Sequence, residues 1–406
     1  GELQLLVSSI DYNDYVGRMG IGRVDRGVIR QNQDVYICNY HTKAAPVKTR
    51  IVSLQQFDGL GRRTVESALP GDIVCFSGAE SITIGDTITS LTCPEPLEFV
   101  KISEPTIEMT FAVNDSPFAG KEGKYVTSRQ LRDRLYRELL KDVSLRVSDG
   151  ETTDCFKVAG RGEMHLSILV ETMRREGYEL SLSTPRVLYR DIDGVRCEPY
   201  ENVIIDVPEE YMGTVMEKLG ARKGELLQMG RRGSRMELQY LIPSRCLFGY
   251  RSEFLTATRG EGILNTVFEG YHPYKGDMAS RMTGSLVASE AGETTSYGLY
   301  NSQERGQLFV GVQTPVYEGM IVGENPKMGD IEINPCKTKQ LTAIRSKGAD
   351  EKLILPPAKI MSLEEAIEFI ADDELIEVTP KSIRLRKTIL DTATRKKAQA
   401  RRKLQN

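Results

Sequence analysis

The residue patterns in this chain that could carry chemistry are few, and most of them are cationic. A phosphate-cradling loop needs GxxxxGK[ST], in which backbone N–H groups wrap the phosphates, the lysine meets the outer ones and the hydroxyl holds Mg²⁺. The nearest string is Gly120-Lys-Glu-Gly123-Lys124-Tyr125, but Phe118 stands where the first glycine is required and Tyr125 cannot replace Ser or Thr on magnesium. The base-reading NKxD string is absent, and Asp191-Ile-Asp-Gly194 meets only a two-letter DxxG. These residues are therefore expected neither to bind nor to hydrolyse a nucleotide. Glu163, His165 and Glu171 could form an acid/base or metal cluster, yet no second His or Cys lies at ligand spacing. His165, between Met164 and Leu166 near a helix start, reads instead as a packed histidine that fixes the Gly160–Gly162 turn. His41 and His272 are isolated, and no Ser-His-Asp arrangement can be argued. An enzyme with a site around Glu163 and His165 is kept as the alternative reading. No catalytic, cofactor-binding or metal-binding residue is assigned.

Three basic sets remain. The first is Arg222, Lys223, Arg231, Arg232 and Arg235, in a turn and hairpin punctuated by Gly220, Gly224, Gly230 and Gly233. Glycines let backbone and guanidinium groups come close to phosphates. The second is Lys337, Lys339, Arg345, Lys347 and Lys352, around a long polar loop. The third is Arg384, Arg386 and Lys387, followed by Arg395, Lys396, Lys397, Arg401, Arg402 and Lys403 in a tail where only Asp391 offsets the charge. There is no tryptophan and no stacking string, so RNA binding would rest on phosphates and shape more than on base readout.

The net charge of −3 hides this asymmetry, because acidic Ser362–Glu377 precedes the basic run Lys381–Lys403. Hydrophobic residues make up 40% of the chain, enough for packed cores. No apolar run approaches the roughly 20 residues of a membrane span, and no signal peptide is read. Seven cysteines (Cys38, Cys75, Cys93, Cys155, Cys197, Cys246 and Cys336) are scattered without a CxxC pair. That usage excludes a zinc or dithiol motif and fits a reducing cytosol, so a cytoplasmic protein is expected. Gly1 in place of methionine, with strand-like Glu2–Ser9 directly after it, suggests a start inside a longer protein.

These residues must be positioned by several domains, since 406 residues exceed one small core. Residues 1–100 read as short strands with crowded glycines, as in a small barrel. Residues 101–190 read β-α-β-β-α-β, with a capping box at Thr127–Gln130 and a helix stop at Gly177. Residues 191–275 repeat that order: strand Asn202–Val207, helix Glu209–Leu219 with Pro208 at its first position and Gly220 at its stop, a hairpin across Leu226–Leu241, helix Arg245–Leu255 and strand Asn265–Glu269. Residues 276–406 read as glycine-punctuated strands, a polar loop, an acidic helix, a strand at SIRLRK with its charges on one face, and a frayed or disordered tail after Thr392.

Several strings carry a family resemblance. Gly22–Ile37, Ala68–Gly78 and Ile84–Thr89 resemble the barrel that follows the nucleotide domain of translation factors. GRGEMHLSILVETMRREGYEL (Gly160–Leu180) and PEEYMGTVMEKLGARKGELL (Pro208–Leu227) resemble two domains of elongation factor G, the third and the fifth, while the domain between them is absent. Ile333–Lys387 resembles the private C-terminal domain of the BipA/TypA family of translational GTPases. The resemblance covers essentially the whole chain. It implies a multidomain β and α+β fold: a translation-factor barrel, two ferredoxin-like domains and a family-specific mixed domain with a basic tail. It also implies a monomer that docks on the ribosome, touching rRNA of both subunits and A-site tRNA, and that supports ribosome assembly and translation under stress. GTP and Mg²⁺ would belong to a GTPase domain preceding Gly1, a further partner of this chain. The three basic sets are the expected RNA contacts.

Overall fold

The computed structural model describes residues 1–42, 45–99, 104–277, 281, 283–338 and 354–405. They fall into two compact units, Gly1–Pro105 with Arg132–Val147, and Thr106–Leu131 with Ser148–Asn406.

In the first unit, alternating apolar residues pair into an eight-stranded antiparallel sheet. The long strands Gln4–Asn13 and Gly17–Arg26 form its centre. Leu5, Val24, Val35, Ile51, Leu54, Val74, Phe76 and Ile88 fill a dry core. Gly22 is required where it stands, because a Cβ would sit 2.2 Å from the Leu6 carbonyl oxygen. Among the described residues the two end strands, Val47–Arg50 and Gly61–Thr64, do not pair, so the sheet does not close into a complete barrel.

The second unit holds an 11-stranded and a five-stranded sheet. Strand Ile107–Val113, helix Ser128–Glu138, strands Arg146–Asp149 and Cys155–Gly160, helix Glu163–Glu176 and strand Leu180–Leu182 follow the expected ferredoxin-like order, although Arg132–Val147 of this run is counted with the first unit. Thr127 and Gln130 close the capping box, the Thr127 N–H donating to Gln130 Oε1 at 3.2 Å. Gly177 ends its helix in the left-handed region at φ 101°. The same order recurs in Val195–Pro208, Glu209–Ala221, Glu225–Arg232, Arg235–Pro243, Tyr250–Ala257 and Ile263–Pro273, which form their own sheet.

The first ferredoxin-like sheet continues into the C-terminal region. Leu180–Leu182 pairs antiparallel with Glu374–Val378, which pairs with Ile383–Lys387, and the sheet runs on through Met320–Asn325 and Gly284–Ala288. The second ferredoxin-like segment is thus an insertion in sequence between two parts of one continuous sheet.

The expected acidic helix is present as Leu363–Phe369, and strand Glu374–Val378 follows it on the edge that Leu180–Leu182 offers. Four local expectations are corrected. Helix Arg245–Leu255 is broken at Gly249, whose φ of 70° separates a 3₁₀ turn from Tyr250–Ala257. Pro208 ends the preceding strand with extended backbone, so its helix begins at Glu209. Gly220 stays inside that helix, and the chain turns instead at Lys223, φ 63°. The tail is ordered as helix Thr392–Gln405.

Candidate nucleic-acid interface

Both nucleotide-like strings have a structural use. Gly120 and Gly123 point their N–H groups at the Glu179 carboxylate, each at 2.9 Å, so the loop holds an anion of the protein itself. Asp193 and Gly194, both at positive φ, are the two-residue turn of a hairpin in which Ile192 faces Val195. His165 Nδ1 accepts from the Arg161 N–H at 3.3 Å, beside Gly160, where a Cβ would come within 2.9 Å of the same nitrogen. Glu171 is occupied by Arg174 and Arg175, both at 2.8 Å. No group of His, Cys, Asp and Glu suited to a metal ion occurs among the described residues.

Glu163 stands apart. Its Oε1 is buried without a hydrogen-bond partner. Burial first, then the nearby charges of Glu368 and Glu201, push its carboxyl up to about 8. Three elements of the second unit contribute these acids: helix Glu163–Glu176, helix Leu363–Phe369 and strand Val195–Pro208.

Within the first basic set, the turn faces inward and the hairpin outward. Arg222 donates to the Cys246 and Phe248 carbonyls at 2.9 and 3.0 Å and pairs with Glu253. Lys223 Nζ donates to the carbonyls of Lys275 and Asp277 at 2.8 and 2.6 Å. These two residues therefore fasten the end of the second ferredoxin-like sheet. Arg235 is held by Asp206 and the Glu261 carbonyl. Arg231 and Arg232 project, with side chains 63% and 77% exposed and surface pairs to Glu209 and Glu237, and Arg231 Nε also donates to the Gly233 carbonyl in the hairpin turn at 3.1 Å. Such pairs contribute about 0–1 kcal/mol and yield readily to a phosphate.

In the second set, Lys337 is exposed, whereas Lys339, Arg345, Lys347 and Lys352 lie outside the described residues. The third set divides. The strand expected at SIRLRK is present as Ile383–Lys387, but its cations turn into the protein. Arg384 pairs with Glu122 and Glu377, and Arg386 with Asp115. Lys387 pairs with Asp330, Asp373 and Glu374 at 2.6, 3.2 and 2.9 Å. Arg386 and Lys387 are almost fully buried, which removes them from any surface. Arg395 also turns inward, onto the Ile389 and Leu390 carbonyls and Glu332. Lys396 and Lys397 are exposed, Lys396 resting on Glu332 at 2.7 Å. Glu332 lies in strand Ile331–Ile333, which leads directly to Lys337. The tail helix is therefore tied to the strand that precedes the second set. Lys381, which opens the basic run but belongs to none of the three sets, is exposed just before strand Ile383–Lys387.

Three family models match parts of this chain. Residues 17–89 match the family model of elongation factor Tu domain 2, residues 195–282 the elongation factor G C-terminus, and residues 283–392 the TypA/BipA C-terminal domain. The chain is similar to the large ribosomal subunit assembly factor BipA of Bacillus subtilis, 50% identical over 99% of this chain and 66% of that protein. It is also similar to the factors of the same name from Synechocystis, 48% identical over 95% of this chain and 64% of that protein, and Haemophilus influenzae, 47% over 97% and 64%. The chain thus spans slightly less than two thirds of the length of these relatives. With near-half identity along almost all its residues and the TypA/BipA C-terminal domain in place, the chain belongs to the TypA/BipA family.

Proposed function

We propose that these 406 residues are the ribosome-docking part of a BipA-like translational GTPase, organised in four parts at 1–100, 101–190, 191–275 and 276–406. The relatives are named as assembly factors of the large ribosomal subunit, and this reading extends that role to the chain. It docks at the factor site, reaches toward the A site and its tRNA, and supports subunit assembly and translation under stress. The observation that carries the RNA contact is the outward cations on two projecting elements, Arg231 and Arg232 on a hairpin and Lys396 and Lys397 on the tail helix. Lys337 is a further exposed cation. Arg222, Lys223, Arg235, Arg384, Arg386, Lys387 and Arg395 support these surfaces from within and do not meet phosphate. GTP and Mg²⁺ chemistry is assigned to residues of the intact factor beyond the ones described, since no string here can cradle a triphosphate.

Co-sedimentation with ribosomes over a salt series tests the reading. Binding is expected at low salt and release as salt rises, because phosphate contacts release counterions. Reversing Arg231, Arg232, Lys396 and Lys397 to glutamate lowers the slope of log affinity against log salt by roughly 3. Binding indifferent to salt and to these changes would defeat the proposal. Calorimetry with GTP and Mg²⁺ should give no saturable heat, and micromolar affinity would overturn the assignment of the nucleotide chemistry.

A further inference from the structure

A cleft of about 630 Å³ opens in the second unit. That size lies within the roughly 300–1,000 Å³ of small-molecule sites. Its floor is apolar: Val310, Met320, Ile321, Leu363 and Leu385, all buried. Ile360, 89% exposed, stands at its edge with a side chain that gains from being covered. Most of the charged lining is committed, and the exceptions among the described residues are Glu364, an exposed carboxylate, and Lys381. Arg174 and Arg175 are bound to Glu171, and Arg384 to Glu122 and Glu377. Lys381 also lines the cleft, is exposed, and has no ion pair or hydrogen bond among the described residues. The hydroxyl-bearing residues Ser362 and Ser382 complete the polar part.

We propose that this cleft binds a small amphipathic anion, a flat apolar body with one anionic group, whose charge rests on Lys381 and whose body covers the apolar floor. An inorganic anion would leave the floor wet, and a neutral hydrocarbon would leave the ammonium of Lys381 unanswered. Ligands of this shape combine broad apolar burial with a single orienting polar contact, the usual composition of such sites. Lys381 belongs to neither the hairpin nor the tail helix, so this site is independent of the RNA-contact reading and either can fail alone.

The test is a fluorescence titration of the full chain with 8-anilinonaphthalene-1-sulfonate, an aromatic anion. One saturable site is expected. Lys381→Glu should weaken it by at least about tenfold, since it places like charge where the sulfonate sits. Ile360→Asp, a change at an exposed side chain, should also weaken it. Arg231→Glu should leave it unchanged. No saturable site, or equal affinity in wild type, Lys381→Glu and Ile360→Asp, would overturn the proposal.

Discussion

Replacing Lys387 by methionine is expected to destabilise the second unit by about 3–5 kcal/mol, read as an earlier urea-unfolding transition by circular dichroism. The ammonium of Lys387 is surrounded by Asp330, Asp373 and Glu374, and Glu374 is fully buried. Arg281, the Ser285 hydroxyl and the Ala371 N–H also reach the Glu374 carboxylate, at 3.0, 2.6 and 2.8 Å. Burial alone would raise the Glu374 carboxyl. The charges of Lys387 and Arg281, with the hydrogen bonds from Ser285 and Lys387, overcome it and hold the carboxyl below its ordinary range. Removing the lysine leaves buried carboxylates without a cation, and that desolvation cost is the main part of the loss. Adding Glu374→Gln to Lys387→Met should recover part of it. A shift of less than 1 kcal/mol in the single variant would mean that the network does not hold the sheet together. Because the Glu374 carboxyl is lowered on folding, its contribution is present above its unfolded value near 4.5 and lost as pH falls below it.

Glu163→Gln should have the opposite effect, with the opposite pH dependence. The Glu163 carboxyl rises from 4.5 to about 8 on folding. Between those values the folded protein keeps a proton that the unfolded chain releases, so this residue lowers stability progressively as pH rises from about 4.5 to 8. Glutamine is neutral throughout and removes the penalty. The variant should match wild type near pH 4 and exceed it by roughly 2–4 kcal/mol at pH 8, measured as paired urea midpoints at both pH values. Equal stability at pH 8 would show that Glu163 ionises freely. Ribosome co-sedimentation should be unchanged in this variant. Unchanged ribosome binding with loss of a screened hydrolytic turnover would instead favour an enzyme built around Glu163 and His165.

Much of the fold was legible because its signals are local. The capping box at Thr127 and Gln130 lies within one helical turn, and Gly177 ends a helix whose apolar stripe, Leu166, Leu169, Val170 and Met173, is visible in the chain. The hairpin of the second ferredoxin-like segment was likewise read within a few residues of its observed strands. Local signals do not reach where a distant partner decides the outcome. The acidic run after Ser362 holds both helix Leu363–Phe369 and strand Glu374–Val378, and the strand rests on the edge that Leu180–Leu182 offers.

The candidate interface was legible as charge and illegible as direction. Spacing placed Arg384 and Arg386 on one face of a strand, and they do share it, but that face meets Glu122 and Asp115, more than 250 positions earlier in the chain. Arg222 and Lys223 read as a projecting basic turn and became donors to four backbone carbonyls. Composition and short-range pattern by themselves determined the order of elements and the presence of three cationic sets, because those depend on neighbours within a turn or a hairpin, while the family was indicated by the resemblance of whole strings such as Gly160–Leu180 and Ile333–Lys387. Which cations face solvent was decided only by the tertiary structure. A charge leaves water only when carboxylates or carbonyls converge on it, and here those partners come from segments the chain brings together by folding.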